Sequence, residues 1–344
     1  MPVSIVVGGQ FGSEGKGKVS LEIARRDRTA SAAIRVGGTN SGHTAIGRDG
    51  KTYVLRQLPA AAIDRSVDVI LPAGSYIDVD VLLREVKQLG LGPDQVAISR
   101  FARIITDQHK SWERNAELES AIGSTQSGTG AAILAMTGRG AKTLPLLSIQ
   151  AHQIAELTPF LQDTVSIMRR LLDARRRLII EGTQGFGLSL LHGGYWPKAT
   201  SRDTTAAGFL AETGLSPNDV DDVTMVLRSH PIRVAGEQSG PLAGETTWET
   251  IAAEAGLPGD HKEYTTVTKK VRRVGQFDEA LVKRAIQANS PNRIVLNHLD
   301  YIDYSVRGGR ITSKALNFVK LVEKRIAKKV NWVGTGPGEI VDQW

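Results

Sequence analysis

The sequence predicts an α/β fold with a largely parallel central sheet flanked by helices, on three observations. Short apolar runs of strand length alternate with longer segments of helical spacing. Glycine-rich segments follow directly on apolar runs, where ligands gather in parallel sheets. No long repeat and no low-complexity linker divides the chain, so residues 1–344 are read as one domain with embellishing loops.

Taken in order, "VSIVV" (3–7) reads as a buried strand running into the helical "GKGKVSLEIARR" (15–26). "AAIRV" (32–36) and "DVILPAG" (68–74) are further strands. The second leads into "DVDVLLREVKQLG" (78–90), which has helical spacing and ends on glycine. "TVSIMRRLLDARR" (164–176) is a helix before the strand "RLIIEG" (177–182). "RIVLNHLD" (293–300) and "VNWVGTGPG" (330–338) are strands entering polar loops, with "LNFVKLVEKRIAKK" (316–329) a helix between them.

Composition narrows the function. With 41% apolar residues the chain can bury a sizeable core. Cysteine is absent, which excludes disulfides, thiolate metal sites and cysteine nucleophiles and fits a reducing compartment. The start carries no basic region followed by an apolar run, and no apolar stretch has membrane-span length, so a cytoplasmic protein is expected. The net charge of +7 favours anionic partners. Basic residues come in short groups interrupted by acidic ones, and aromatics are 5%, thin for base stacking. Small anionic substrates are therefore expected rather than nucleic acid.

The stretch "VVGGQFGSEGKGKV" (6–19) looks like a phosphate cradle of the P-loop kind. Counting from Gly12, the chain runs Ser13, Glu14, Gly15, Lys16, Gly17, Lys18, Val19, so valine stands where a magnesium-holding hydroxyl would be. Glycines still let backbone N–H groups approach phosphate, the following helix presents its positive end, and Lys16 and Lys18 can neutralise charge. Magnesium must then find ligands elsewhere.

Beyond that loop, "GGQFGSEGKGKV" resembles the signature of adenylosuccinate synthetases, whose usual form is Gly-x-Gln-Trp-Gly-Asp-Glu-Gly-Lys-Gly-Lys. "GGTNSGHT" (37–44) is similar to the family's second signature. "EGTQGFGLSLLHGGYWPKATSRDTT" (181–205) resembles its purine-nucleotide segment, in the shorter style of archaeal and phage members, and "YTTVTKKVRRVGQFD" (264–278) its aspartate loop. "NHLD" (297–300) and "GTGPGE" (334–339) resemble the segments that hold the nucleotide base. The matches run in order along nearly the whole chain.

The resemblance implies a carbon–nitrogen ligase. Such enzymes phosphorylate a purine monophosphate at its 6-oxygen with a nucleoside triphosphate and then let the aspartate amine displace phosphate. Catalytic positions would be Ser13, Lys16, His43 and Gln184, with His43 donating a hydrogen bond to the 6-oxygen. The purine monophosphate would meet Ser13, Asn40, Thr125, Gln184 and Thr200, and Arg139 would reach the 5′-phosphate from a neighbouring subunit, which implies a homodimer. Thr268 and Arg272 would grip aspartate, and Lys270 stands where the family carries an arginine near the ribose 2′-hydroxyl. Gly12, Glu14, Gly15, Lys16, Gly17, Lys18, Thr44, Asn297, His298, Asp300, Gly334 and Gly336 would hold the triphosphate, with Mg2+ on Ser13 and the Gly42 carbonyl.

Ser13 is the most informative departure, because the family has aspartate there, acting as base on purine N1 and helping to bind magnesium. An inactive chain, a base elsewhere, or a different substrate are the three readings. The third has chemical content: a short hydroxyl opens room and removes negative charge beside the N1 and C2 edge, where guanine carries an amine. The same serine marks a phage branch, the 2-amino-2′-deoxyadenylosuccinate synthases, which condense dGMP with aspartate towards 2-aminoadenine nucleotides for phage DNA. The expectation is therefore dGMP, aspartate and ATP or dATP, with GTP the other donor considered, in a host cytoplasm. Ordinary synthesis of adenylosuccinate from IMP with GTP is the alternative.

Overall fold

The computed structural model describes residues 2–265 and 269–342. Its central sheet has ten strands: β1 (Val3–Gly8), β2 (Ala30–Arg35), β3 (Asp68–Leu71), β4 (Val96–Ser99), β5 (Leu161–Gln162), β6 (Arg177–Glu181), β7 (Val220–Arg228), β8 (Arg293–Asn297), β9 (Trp332–Gly334) and β10 (Ile340–Val341). The spatial order is β10-β9-β8-β7-β1-β6-β2-β3-β4-β5. Every pairing is parallel except the β9–β10 edge.

The helices are α1 (Lys16–Arg26), α2 (Val79–Leu89), α3 (Asp107–Asn115), α4 (Leu118–Ile122), α5 (Thr129–Thr137), α6 (Thr164–Asp173), α7 (Ala206–Thr213), α8 (Trp248–Ala255), α9 (Glu279–Asn289) and α10 (Ser313–Ile326). They cover both faces, which is why the central strands are continuous apolar runs rather than alternating ones. On one face Ile5 and Val7 join Phe209 of α7, Leu281 of α9 and Val319 of α10. On the other, Val6 joins Val19 and Ile23 of α1. The predicted α2 starts on Asp78, whose carboxylate accepts from the Val81 N–H, and stops at Gly90, which has φ 62°. Each strand and helix assigned from the sequence is present.

Strand endings position the site. At their carboxyl ends the central strands close on polar residues: Arg35 on β2, Glu181 on β6, Arg228 on β7 and Asn297 on β8. Arg35 pairs in register with Glu181, and Arg228 with Asn297. A small antiparallel sheet of Ile232–Arg233, Arg273–Gly275 and Glu245–Thr246 lies beside α8. Among the described residues no helix is long and apolar enough to cross a membrane.

Candidate active site

Above those strand ends lies a cavity of about 760 Å³. The loop between β1 and α1 forms its floor. Gly12 (φ 99°) and Gly15 (φ 92°) take left-handed conformations that favour glycine, and Ser13 itself has φ 56°. A Cβ on Gly15 would come 2.6 Å from Asn297 Nδ2, so the loop is also closely packed from behind. Gly15 caps α1 without a side-chain acceptor, leaving the first-turn N–H groups as a ready anion seat.

The structure sorts most of the residues singled out from the sequence into two groups. Gly12, Ser13, Gly15, Lys16, Gly17, Lys18, Asn40, Gly42, His43, Thr44, Thr125, Gln184, Thr200, Arg272, His298, Asp300 and Gly336 all line the cavity. Glu14, Asn297 and Gly334 stand behind its wall. Glu14, fully buried, accepts from the Gly12 N–H at 2.7 Å, the Gln10 N–H at 3.2 Å and the Lys16 ammonium at 2.8 Å, so it braces the loop. The Asn297 amide donates to the Glu14 carbonyl at 2.7 Å, and a Cβ on Gly334 would clash with Asn297 Oδ1. Arg139 is exposed, just past the end of α5, and does not line this cavity. Lys270 ion-pairs with Glu119 of α4 at 2.6 Å, so its charge is directed at a helix of the cavity rim. Thr268 lies outside the described residues.

Ser13 sits between two guanidinium groups. Its hydroxyl oxygen accepts from Arg272 Nη1 at 2.8 Å and its carbonyl from Arg228 Nη1 at 3.1 Å. Arg228 in turn pairs with Glu263 at 2.6 Å, and the Tyr301 hydroxyl donates to the same carboxylate oxygen at 2.8 Å. Burial alone would raise the Glu263 carboxyl, but the guanidinium groups of Arg228 and Arg272 hold it well below the usual carboxylate range. Burial and Arg228 push the His298 imidazole far below its ordinary value, so it is neutral at pH 7 and cannot replace a cationic lysine. It lies 5.1 Å from the Tyr301 ring.

Elsewhere on the cavity wall, Arg307 donates twice to Asp300 Oδ2, at 3.1 and 2.9 Å. Asp300 Oδ1 is buried and has no hydrogen-bond partner among the described residues. That leaves one acceptor free for a donor on a bound ligand. Burial lowers the Lys18 ammonium to about 8 against the pull of Asp300, Glu339 and Glu22, and its Nζ donates to the Gly336 carbonyl at 2.9 Å.

His43 is buried beside Arg35 and Glu181. Burial and the Arg35 charge push its imidazole down to about 4, against the pull of Glu181. The neutral ring has one N–H, and Nδ1 lies 2.5 Å from the Glu181 carboxylate. Hydrogen-bond donation to a 6-oxygen would therefore need a second proton on the ring, which incoming phosphate charge favours. Sequence reasoning missed Arg35, Glu181, Arg228, Glu263 and Arg307. The signal for the first three was a charged residue closing an apolar strand, beside the very motifs that were read.

The residues also permit a test of the implied magnesium. Among the described residues no group of three or more His, Cys, Asp or Glu could hold a metal ion. Mg2+ keeps waters and takes phosphate oxygens, so one carbonyl from the protein suffices, and Gly42 lines the cavity. Ser13 fits less well, because its oxygen already accepts from a cationic guanidinium.

A glycine-rich phosphate loop at the carboxyl ends of a parallel sheet, with a lysine-lined cavity large enough for two nucleotides, defines a nucleotide-using α/β enzyme. The family model described as adenylosuccinate synthetase matches residues 5–148 and 146–307. The adenylosuccinate synthetase of Methanococcus aeolicus is 38% identical over 344 residues, covering 98% of this chain and 97% of the relative. That of Pyrococcus horikoshii is 36% identical over 344 residues, covering 98% and 96%. Among solved structures, the cyanophage S-2L succinoaminodeoxyadenylate synthetase (PurZ), bound to dGMP and to dATP as an energy donor, aligns with TM-score 0.82 and 29% identity over 99% of this chain and 95% of that one. The fully ligated Plasmodium falciparum adenylosuccinate synthetase shares the fold, with TM-score 0.84 at 20% identity over the full length of both chains. This chain belongs to the adenylosuccinate synthetase family, carbon–nitrogen ligases of purine biosynthesis that use a nucleoside triphosphate, Mg2+ and aspartate.

Proposed function

We propose that this enzyme condenses dGMP with L-aspartate, driven by ATP or dATP, to give 2-amino-2′-deoxyadenylosuccinate for 2-aminoadenine nucleotides. The observation that carries the reading is Ser13. Its oxygen uses one lone pair on Arg272 and keeps the other for a donor on the substrate. The 2-amino group of guanine is such a donor, and IMP carries only hydrogen at C2. An aspartate here would form a charged pair with Arg272 and crowd that amine. The PurZ likeness, with dGMP and dATP in that structure, supports the same substrates.

The chemistry balances as two displacements. The purine 6-oxygen attacks the γ-phosphorus, the nucleoside diphosphate leaves, and the N1 proton passes to solvent water. The aspartate amine then attacks C6 and gives up a proton to solvent, and the oxygen leaves with the phosphate. Lys16 and the amides of Gly15 and Gly17 cradle the transferring phosphoryl group, with Lys16 exchanging Glu14 for phosphate. Bound Mg2+ supplies charge compensation on the triphosphate, with the Gly42 carbonyl as its protein ligand. Gln184 and Thr200 line the purine side, Arg272 receives an aspartate carboxylate, and Arg139 reaches the 5′-phosphate of a partner copy in a homodimer.

Synthesis of adenylosuccinate from IMP with GTP is the second reading. It is favoured by the names of the relatives that are 34 to 38% identical and by the free Asp300 Oδ1, which suits the N–H groups of guanine. Incubation with Mg2+, aspartate and ATP, giving either dGMP or IMP, decides between them. A succinylated product from dGMP alone supports the proposal, and one from IMP alone overturns it.

A further inference from the structure

Arg35 and Glu181, the last residues of β2 and β6, face each other across the sheet register. Both are buried to within 1% of complete. Glu181 Oε1 lies 2.5 Å from His43 Nδ1 and accepts from Arg35 Nη1 at 3.2 Å, while Oε2 accepts from the Ala60 N–H at 3.0 Å. Arg35 Nη1 lies 2.7 Å from His43 Nδ1 and 2.9 Å from Nε2, and so reaches across the ring. Its other terminal nitrogen donates to Ser41 Oγ at 3.3 Å.

A carboxylate can only accept and a guanidinium can only donate. The anion therefore takes the ring N–H, while Arg35 Nη1, nearly equidistant from the two ring nitrogens, lies over the ring face and fixes its tilt. Glu181 thus selects one tautomer: the proton on Nδ1, shared with the carboxylate, and the lone pair on Nε2. We infer that Arg35 and Glu181 are positioning residues, which fix the tautomer and tilt of His43 so that Nε2 is the nitrogen a bound purine meets. The inference rests on the reading of His43 as the group beside the reacting 6-oxygen. Neither residue touches substrate. Their effect passes through the imidazole, as carboxylates behind catalytic histidines generally act.

The test pairs a spectrum with kinetics. In the full-length protein carrying 15N-histidine, the His43 ring resonances, assigned by their loss in His43→Gln, should be those of the Nδ1–H tautomer. Glu181→Gln keeps the shape but offers an amide N–H to Nδ1, which favours the opposite tautomer. It should lower kcat by at least about 100-fold while the KM for triphosphate stays within about threefold. The rate is read on whichever of dGMP or IMP the wild type turns over faster, so an error in the substrate reading does not enter. An Nε2–H spectrum in the wild type, or an unchanged kcat in Glu181→Gln, overturns the inference. Should that variant fail to fold, the wild-type spectrum alone decides. Full activity in His43→Gln would instead remove the role of His43 itself.

Discussion

Lys18 sets stability against binding. Its ammonium titrates at about 8 in the fold, against 10.5 for a fully solvated lysine, chiefly through burial. Between these values the unfolded chain holds a proton that the folded chain does not, so stability rises with pH across that window and is lowest, for this group, below it. The gap corresponds to about 3 kcal/mol at neutral pH. Lys18→Met removes that cost but also loses the hydrogen bonds to the carbonyls of Gly336 and Glu339, worth about 1 kcal/mol each. The net expectation at pH 7 is a variant about 1 kcal/mol more stable that binds ATP about 10- to 100-fold more weakly. In the wild type, the charged fraction falls from about nine-tenths at pH 7 to about one-tenth at pH 9, so the Kd for ATP should rise about tenfold. Lys18→Arg, which stays charged, should flatten that profile. Urea unfolding and calorimetric titration at pH 7, 8 and 9 measure both effects. A Kd that does not change across this range, or a Lys18→Met protein less stable than the wild type, would refute the reasoning.

Three further outcomes are expected. Asp300→Asn, which leaves Arg307 unpaired and weakens the free acceptor, should raise the KM for the triphosphate about tenfold with dGMP binding unchanged, as read from initial rates. Lys270→Arg should raise kcat/KM for GMP relative to dGMP about 3- to 10-fold, because a longer fork reaches past Glu119 towards a ribose hydroxyl, while stability changes by less than about 1 kcal/mol for so exposed a pair. Chelation of Mg2+ should abolish turnover, and added Mg2+ should restore it, without a change in the far-ultraviolet circular dichroism spectrum.

The sequence carries the fold clearly where burial is uniform. Strands such as β1 and β6 are apolar along their length, and α2 carries both its stop and start signals, so local chemistry and tertiary packing agree. Strand β7 was not anticipated, since its opening "VDDV" places two acidic residues before the apolar run. Within the site, glycines and lysines of the phosphate loop were legible because their spacing is local. The charged web around Ser13 was not, because Arg228, Glu263 and Arg272 come from separate segments that only the fold brings together. Glu14 and Asn297 illustrate the converse. A motif residue reads as a ligand contact, yet both face the back of the loop and hold its shape.

The central question is whether a hydroxyl at position 13 selects the 2-amino purine. The most direct measurement is the ratio of kcat/KM for dGMP to that for IMP in the wild type and in Ser13→Asp. A larger carboxylate that pairs with Arg272 and crowds the 2-amino group should lower that ratio by about 10- to 100-fold, the worth of about 1–3 kcal/mol. An unchanged ratio would contradict the account.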